Sequence, residues 1–200
     1  IRLSLVGSEM CIRDRYYNEY KYMTKEKIRM YIKVKRILGF VASIVIMLLF
    51  AIPMFVIAIC IKLDSKGPII YKQKRIGKNG KLFNIYKFRT MYTKEERNRK
   101  HLTHEQMVTR VGKFLRKTSL DELPQLINVL KGEMSFIGPR PWVKEYYIYF
   151  TDKQKQRCNV LPGITGLAQI KGRNGINIFK KIEYDIAVSY THLTLPTNRE

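Results

Sequence analysis

A long uncharged stretch near the N-terminus limits the folds that this chain can adopt. No charged residue occurs from Ile37 to Ile61, and this run exceeds the roughly 20 residues that an α-helix needs to cross a bilayer. The buried helix of a soluble protein rarely carries so long a run, and a signal peptide would be shorter and followed by a small-residue cleavage site. The stretch is therefore predicted to be a membrane helix.

Basic residues on both sides of this stretch bear on its topology. They are Lys25, Lys27, Arg29, Lys33, Lys35 and Arg36 before it, and Lys62, Lys66, Lys72, Lys74, Arg75, Lys78 and Lys81 after it. Positive charge gathers on the cytoplasmic side of a membrane segment, so a single crossing would place one cluster on the wrong side. Pro53 lies past the middle of the run and removes a backbone donor, which bends a helix. A re-entrant helix over residues 28–63 is favoured, a straight span kinked at Pro53 is the alternative, and the cations are expected to bind anionic lipid headgroups.

The composition indicates an anionic partner. The 200 residues include 38 Lys and Arg against 16 Asp and Glu, a formal charge of +22, while 46% of the residues are hydrophobic. A chain this basic, with enough apolar residues for a core, is expected to bind nucleic acid, an anionic membrane or phosphorylated substrates. The three cysteines have no metal-ligand spacing, and their odd number disfavours a disulfide framework. A reducing, cytosol-facing compartment is therefore expected.

A β-hairpin is predicted directly after the membrane segment. The stretches from Ile69 to Ile76 and from Leu82 to Met91 are rich in β-branched and aromatic residues, and Asn79-Gly80 between them is a strong signal for a tight turn. The cations of this hairpin are Lys72, Lys74, Arg75, Lys87 and Arg89. They form either a solvated surface or contacts with phosphates and lipid headgroups, and their position beside a membrane segment favours such contacts.

Two helices are predicted in the next part of the chain. The first runs from Thr103 to Lys117 and opens on a capping-box pattern. The second begins between Ser119 and Asp121, because Pro124 is tolerated only in a first turn; its start also matches a capping box, and Gly132 ends it. With the hairpin, these helices predict an α+β fold, in which a compact, mostly helical cytosolic domain follows a membrane-embedded re-entrant helix.

Three other segments are less regular. Residues 93–101 are charged and are predicted to be a loop or a mobile helix. Residues 142–150 are rich in aromatic side chains and are predicted to be a helix that either packs in the core or lies at a membrane interface. Residues 161–172 are punctuated by Gly and Pro and are predicted to be an ordered loop near the site.

Asp121 and Glu122 open the second of the predicted helices. Two acids at a helix start can simply stabilise the helix dipole, and that alternative stays open for the pair alone. Nearby Arg116, Lys117 and Arg140 offer cations for a diphosphate, and the prolines on both sides of Arg140 reduce the entropy lost in presenting its guanidinium group. A Mg²⁺ ion that bridges acid and phosphate oxygens would remove their repulsion. A carboxylate can then attack phosphorus and carry the phosphoryl group.

Four ordered motifs resemble a known family. They are Lys87-Phe88-Arg89-Thr90-Met91, Arg116 through SLDELPQ, the GEMSFIGPRP loop, and LPGITGLAQIKGR from Leu161 to Arg173. With the N-terminal membrane segment, they resemble the bacterial sugar transferases, the small monotopic phosphoglycosyl transferases that initiate glycan assembly. The resemblance extends from about Ile32 to Asp185. It implies a re-entrant helix that breaks at a Ser-Pro pair, which Ile52-Pro53 replaces in this chain.

This resemblance also implies a reaction and a set of site residues. Asp121 would be the nucleophile that attacks the β-phosphate of a UDP-sugar and releases UMP. Polyprenyl phosphate, usually undecaprenyl phosphate, would then accept the phospho-sugar. Glu122 would support the nucleophile and, with Asp121, bind a Mg²⁺ cofactor. The implied substrate-binding residues are Arg140, Arg116, Lys87, Arg89 and Arg173.

The same resemblance implies a location and a domain plan. The enzyme would lie in the bacterial inner (cytoplasmic) membrane with its catalytic domain, residues 64–186, facing the cytosol, and would contact anionic lipids and no nucleic acid. The segments 4–15 and 188–197 resemble translated sequencing adapters, so residues 1–22 and 187–200 are interpreted as non-native and disordered, and the catalytic domain as truncated. The alternative functions are another lipid phosphotransferase, and a non-catalytic basic membrane-anchored protein that binds nucleic acid or anionic lipid.

Overall fold

The computed structural model describes residues 25–172, 175 and 177–193. Its helices are α1 (Lys25–Leu49), α2 (Ala51–Asp64), α3 (Lys94–Lys100), α4 (Arg110–Thr118), α5 (Leu126–Leu130), α6 (Lys144–Tyr147), α7 (Asp152–Lys155), α8 (Leu167–Gly172) and α9 (Ile178–Leu193). Its strands are β1 (Ile70–Ile76), β2 (Leu82–Phe88), β3 (Ser135–Ile137) and β4 (Gly163–Thr165). Short 3₁₀ segments cover Lys78–Gly80, His104–Met107, Leu120–Gln125 and Gln156–Asn159. The predicted α+β class, mostly helical with a β-hairpin, is confirmed.

Helices α1 and α2 form a bent pair. The axis of the chain bends by 63° between them, at a break at Phe50. Pro53 lies in the first turn of α2, where its missing N–H leaves a backbone carbonyl at the end of α1 without the donor that would continue the helix. No single helix in the described part of the chain is long and apolar enough to cross a membrane, whereas this pair meets both conditions together. The predicted bend is confirmed, and re-entrant insertion into a membrane stays a prediction.

The C-terminal end of the bent pair is docked on the rest of the chain. Ile61 of α2 is buried with Phe88 of β2 and Leu115 of α4 in one core cluster. The carboxylate of Asp64 accepts a hydrogen bond of 3.0 Å from the backbone N–H of Val111, in the first turn of α4, and so satisfies one of that helix's free donors. The end of α2 is thereby joined to the elements that carry the acidic pair.

Strands β1 and β2 form the predicted antiparallel hairpin. Ile70 lies opposite Phe88 and Ile76 lies opposite Leu82. Asn79 and Gly80 in the turn have φ values of 55° and 74°, left-handed values that these two residue types tolerate better than most others. The hairpin prediction is therefore confirmed, although β2 ends at Phe88 and not at Met91.

The sequence does not predict the second sheet. Ser135 pairs with Gly163 and Ile137 pairs with Thr165 in a parallel arrangement. Strand β4 and helix α8 occupy most of residues 161–172, so the predicted loop is wrong. Its predicted position near the site is confirmed, because Ile164, Thr165, Ala168 and Gln169 line the same cleft as the acidic pair. A Cβ atom on Gly163 would lie 2.1 Å from the backbone nitrogen of Gly138, so only residues without a side chain allow the two segments to approach this closely.

The helix predicted from Thr103 to Lys117 is wrong in its middle. Its first turn is a 3₁₀ segment with the predicted capping box. Val108 is then extended and pairs with Met91, which interrupts the helix, and α4 begins two residues later. The hydroxyl of Thr109 accepts a hydrogen bond from the N–H of Gly112 and caps α4.

The second predicted helix also starts differently. Its first turn is the 3₁₀ segment Leu120–Gln125, and α5 follows it. Ser119 has a left-handed φ of 60° and its side chain makes no capping hydrogen bond, so the capping box predicted with Glu122 is wrong. Pro124 is accommodated within the 3₁₀ segment. Gly132, with φ of 75°, follows the end of α5 as predicted.

The aromatic segment after β3 is divided between the core and the surface. The rings of Trp142 and Phe150 lie edge to face with centroids 5.4 Å apart, and they belong to a cluster with Ile186 of α9. Tyr149 is 77% exposed, and the helix predicted here is limited to α6. Helix α9 continues to Leu193, so the disorder predicted from residue 187 onward is wrong up to Leu193. The non-native origin of residues 187–200 stays a prediction, and residues 1–22 lie outside the described residues.

Candidate active site

The acidic pair Asp121 and Glu122 lies on the 3₁₀ segment that follows α4. Leu120 and Leu123 of the same segment pack against the core cluster that includes Ile61. Because these apolar side chains face inward, the carboxylates between them face the other way, and both line an open cleft. Ser119, which has left-handed backbone angles, redirects the chain between α4 and this 3₁₀ segment. A short sequence motif can in this way present two acids to one cleft.

Glu122 joins two cations from different parts of the chain. Its Oε1 atom accepts hydrogen bonds from Lys87 Nζ at 2.6 Å and from Arg140 Nη2 at 2.8 Å. Burial alone would raise the pKa of Glu122, but the charges of Arg140 and Lys87 outweigh burial and hold this pKa below its usual value. Glu122 is therefore ionised near neutral pH and connects β2 to the segment that carries Arg140.

Asp121 differs from its neighbour. Its side chain is half-buried, and no cationic side chain in the described residues lies within 4.0 Å of its carboxylate. Burial raises the pKa of Asp121; the charge of Lys87 opposes this effect and the charge of Glu122 adds to it. A carboxylate that is less stabilised by partners is more basic and more available to react.

The cleft beside the acidic pair is large and positively charged. Its volume is about 1190 Å³, which is enough for a nucleotide-sized ligand. Its cationic lining residues are Arg75, Lys87, Arg89, Lys94, Arg97, Arg116, Arg140 and Lys181, and its acidic ones are Asp121, Glu122 and Asp185. Because cations outnumber acids so clearly, the cleft favours an anionic ligand such as a diphosphate.

Two arginines line this cleft: Arg116, which precedes the acidic pair in the sequence, and Arg140, which follows it. Arg140 lies between Pro139 and Pro141, and its side chain is 45% exposed, so it can bind a ligand while it remains paired with Glu122. Arg116 is exposed and lines the cleft, and its Nε atom donates to Thr90 Oγ1 at 3.0 Å, which restrains the orientation of its guanidinium group.

The structure also places the remaining residues that the sequence assigns to substrate binding. Arg89 is only 6% exposed, and its guanidinium donates to the backbone carbonyls of Ser65, Lys66 and Pro68. It therefore joins the end of α2 to the hairpin, and its binding of substrate phosphate stays a prediction. Arg173 lies outside the described residues. Lys117, predicted to be near a diphosphate, is exposed and does not line the cleft.

Two residues of the site are not singled out by the sequence for any function. Arg157 is 3% exposed and Asp185 is 1% exposed, and they form a buried ion pair behind Arg140. Asp185 also lines the cleft. Neither belongs to a local pattern that indicates a site, since they lie 28 residues apart and only the packing of α9 brings them together.

The chemistry of the acidic pair is compatible with a Mg²⁺ ion that is shared between protein carboxylates and substrate phosphates. No group of three or more His, Cys, Asp or Glu side chains in the described residues could hold a metal ion on its own. Mg²⁺ is commonly bound by one or two carboxylates together with substrate phosphates, and that requirement matches two adjacent acids beside a cationic cleft. Both cations bind Oε1 of Glu122, so Oε2 and the Asp121 carboxylate are the oxygens that would hold the metal.

Comparison with known proteins bears on this site. The family model described as "Bacterial sugar transferase" matches residues 30–195. This range contains most of α1 and all of the hairpin, the acidic pair, the segment of Arg140 and helix α9, so the match covers every element that lines the cleft.

Individual relatives are similar over the same region. The chain is 47% identical over 133 residues to the "Uncharacterized sugar transferase EpsL" of Bacillus subtilis (strain 168), which covers 66% of this chain and 65% of that protein. It is 43% identical over 161 residues to the "Galactosyl transferase CpsE" of Streptococcus agalactiae serotype III (strain NEM316), covering 74% of this chain and 36% of the relative. It is 43% identical over 162 residues to the "UDP-glucose:undecaprenyl-phosphate glucose-1-phosphate transferase" of Klebsiella pneumoniae, covering 76% of this chain and 35% of the relative. The chain therefore spans about two thirds of the first relative and about a third of the other two.

Proposed function

Because this chain belongs to the bacterial sugar transferase family, we propose that it is a phosphoglycosyl transferase that moves a sugar 1-phosphate from a UDP-sugar to undecaprenyl phosphate. The observation that carries the proposal is the acidic pair, in which Glu122 binds Lys87 and Arg140 while Asp121 stays without a cationic partner among the described residues. The name of the Klebsiella pneumoniae relative, which includes both substrates of this reaction, supports it. The names of two relatives contain different sugars, galactose and glucose, so the proposal leaves the sugar open.

The cations of the cleft would bind the diphosphate of the donor. Arg140 and Arg116 can each offer two nitrogens to phosphate oxygens, a geometry in which Arg exceeds Lys. Lys87 lines the same cleft and holds Glu122. These three cations would reduce the repulsion between the donor phosphates and Asp121, and they would stabilise the charge that develops during transfer.

The first step of the proposed reaction uses Asp121 as the nucleophile. A carboxylate oxygen of Asp121 attacks the β-phosphorus of the UDP-sugar, and the bond between this phosphorus and the bridging oxygen breaks. UMP leaves with the bridging oxygen, and the phospho-sugar stays bound to Asp121 as an acyl phosphate. No cationic side chain among the described residues pairs with Asp121 within 4.0 Å, so one of its oxygens can attack phosphorus while the other stays available to the metal.

The second step transfers the phospho-sugar to the lipid. A phosphate oxygen of undecaprenyl phosphate attacks the same phosphorus, and the bond to the Asp121 oxygen breaks. The products are undecaprenyl diphosphate-sugar and the free carboxylate, so the enzyme returns to its starting state. Mg²⁺, when held by the acidic pair, would neutralise phosphate charge and orient the diphosphate. Arg140 would stay paired with Glu122 through both steps and keep the phosphoryl group in place.

The acceptor requires a position at the membrane surface, and we propose that the bent helix pair provides it. Exposed apolar side chains lie on both sides of the break, with Leu48 at 73% and Ile52 at 77% exposure. Exposed apolar surface of this kind marks a contact with lipid or with another protein. The proposed location is the bacterial inner membrane, with the bent pair re-entrant and the cleft facing the cytosol, where anionic headgroups would bind the flanking cations.

Single-cysteine labelling tests this topology. In a chain whose native cysteines are replaced by serine, the variants Lys33→Cys and Lys72→Cys should both resist a membrane-impermeant maleimide added to intact spheroplasts, and both should react after permeabilisation. Both positions are exposed in the folded chain, so protection would reflect the membrane side. As a control, Leu48→Cys should react poorly in both states, because lipid would cover it. Labelling of only one flank in intact spheroplasts would instead indicate a helix that crosses the membrane once.

Release of UMP tests the reaction itself. The purified chain in detergent, with Mg²⁺ and undecaprenyl phosphate, should produce UMP from at least one member of a panel that includes UDP-glucose and UDP-galactose. Continued turnover should require the lipid phosphate, and excess EDTA should stop it until Mg²⁺ is restored. If none of the UDP-sugars yields UMP, the result would contradict the proposal and favour a non-catalytic membrane-anchored protein. Phosphoryl transfer to lipid from a donor without a nucleotide would indicate a different lipid phosphotransferase.

A further inference from the structure

Arg140 is held from behind by the buried ion pair of Arg157 and Asp185. We infer that these two residues are positioning residues, which fix the backbone of Arg140 so that its guanidinium group meets Glu122 and the donor phosphate. The inference rests on the proposed function for its catalytic consequence. Its structural basis is a set of contacts that reach the main chain of Arg140 from the 3₁₀ segment Gln156–Asn159 and from helix α9.

Both polar backbone groups of Arg140 are bound by the ion pair. The backbone N–H of Arg140 donates to Asp185 Oδ1 at 3.4 Å, and its backbone carbonyl accepts from Arg157 Nη2 at 2.6 Å. Arg157 Nη2 also donates to Asp185 Oδ2. Since Pro139 and Pro141 have no N–H, Arg140 carries the only backbone donor of this Pro-Arg-Pro segment, and Asp185 accepts from it.

The ion pair is rigidly packed. The guanidinium carbon of Arg157 lies 4.8 Å from the ring centroid of Trp142 and 5.7 Å from that of Phe150, distances at which a cation is attracted to aromatic faces. Asp185 is 1% exposed on α9. Side chains that are this enclosed have little rotamer freedom, so the backbone that they bind is held in one position.

Apolar residues could fill the volume of this ion pair. A buried ion pair can often be replaced by apolar residues of similar volume without loss of stability, because desolvation of the charges offsets their attraction. What an apolar pair could not supply is the acceptor for the Arg140 N–H and the donor for the Arg140 carbonyl. The chemistry of the pair therefore matches the needs of one functional residue, whose side chain lies 2.8 Å from Glu122.

The double variant Arg157→Met with Asp185→Leu separates positioning from folding. It should keep a cooperative thermal transition, because apolar residues of similar size fill the space of the pair, although its midpoint should be somewhat lower, since the Arg140 backbone N–H and carbonyl lose their partners. Its kcat/KM for UMP release should fall by about 10- to 100-fold, the range expected when a catalytic group shifts by about 1 Å. Asp185→Asn, which keeps an oxygen for the Arg140 N–H, should lose less activity than the double variant. An unchanged kcat/KM in the folded double variant would overturn the inference.

Hydrogen exchange provides a readout that does not depend on catalysis. Between Gly138 and Trp142 the only exchangeable backbone amide belongs to Arg140, so fragment mass spectrometry can follow it. This amide should exchange faster in the double variant, while amides of the β1–β2 hairpin should not change. The matched control is Asp152→Asn, which removes an exposed ion pair with Lys155 and should leave the Arg140 amide unaffected.

The two measurements fail separately. An Arg140 amide that exchanges at the same rate in the double variant and in the unchanged chain would overturn the positioning role, whatever the activity. If the unchanged chain releases no UMP from any donor, the proposed function fails, and the exchange experiment still decides whether the ion pair holds Arg140. Faster exchange together with full activity would show that the backbone contact exists but does not serve the reaction, which also overturns the inference.

Discussion

Replacing Asp121 with asparagine should lower kcat for UMP release by about 10⁴-fold or more, a loss typical of removing a nucleophile. The amide of asparagine has nearly the same shape as the carboxylate but cannot form the acyl phosphate on which the reaction depends. The thermal transition should change little, because Asp121 has no cationic partner within 4.0 Å among the described residues. Initial rates with the preferred UDP-sugar, and melting curves of both proteins, measure the two effects.

A control and a trapping experiment sharpen this prediction. Asp152 is 98% exposed and lies away from the cleft, so Asp152→Asn should keep full activity. Intact-mass analysis of the unchanged chain, incubated with donor and without lipid, should show a phospho-sugar adduct, and peptide mapping should locate it on Asp121. Full turnover by Asp121→Asn, or an adduct on any other residue, would contradict the proposed mechanism.

Glu122→Gln should lower kcat/KM by about 10²- to 10³-fold, the loss expected when one member of a hydrogen-bonded charge pair is neutralised in an enclosed site. Glutamine can still accept a hydrogen bond at the position of Oε1, but it cannot balance the charges of Lys87 and Arg140. The two cations should then move apart or bind the donor in less productive positions. Steady-state kinetics over a range of UDP-sugar concentrations measure the loss.

The same variant distinguishes two functions of Glu122. If the carboxylate mainly organises Lys87 and Arg140, the KM for the UDP-sugar should rise, and Lys87→Met should show a similar rise. If it mainly holds the metal, the Mg²⁺ concentration needed for half-maximal activity should rise instead. Glu183→Gln, at an exposed position of α9, is the matched control and should behave like the unchanged chain. If kcat/KM, the KM for the UDP-sugar and the Mg²⁺ concentration for half-maximal activity are all unchanged in Glu122→Gln, this acid has no function in catalysis.

Local patterns predict the elements around the site well. The Asn79-Gly80 turn predicts the hairpin because left-handed backbone angles at both positions are chemically selective, and Pro53 predicts the bend because its ring removes a donor at one position. The position of Asp121 and Glu122 near a helix start follows from Pro124, which the sequence restricts to a first turn, although that turn is a 3₁₀ segment in the structure. Each of these predictions depends on residues within a few positions of one another.

Predictions that depend on distant partners are less accurate. Val108 interrupts a periodic helix pattern because it pairs with Met91, and β3 pairs with β4 across a separation that no turn signal spans. Arg89 shows the same limitation within the site. Lys87 and Arg89 are two residues apart and would share a face of a continuous strand, but β2 ends at Phe88. Arg89 therefore turns to the carbonyls at the end of α2, while Lys87 reaches Glu122.

The amino-acid sequence by itself determined which elements and motifs are available: a bent apolar helix, a basic hairpin, an acidic pair and an arginine between two prolines. It could do so because backbone geometry and hydrophobic run length are local properties. Only the tertiary structure decided which cations meet the acids, since Lys87 and Arg140 lie 35 and 18 residues from Glu122. Any Lys or Arg would attract a carboxylate, so the sequence alone does not distinguish one of its many basic residues from another as the partner of Glu122. The packing of β2, the 3₁₀ segment and α9 brings Lys87 and Arg140 to that carboxylate.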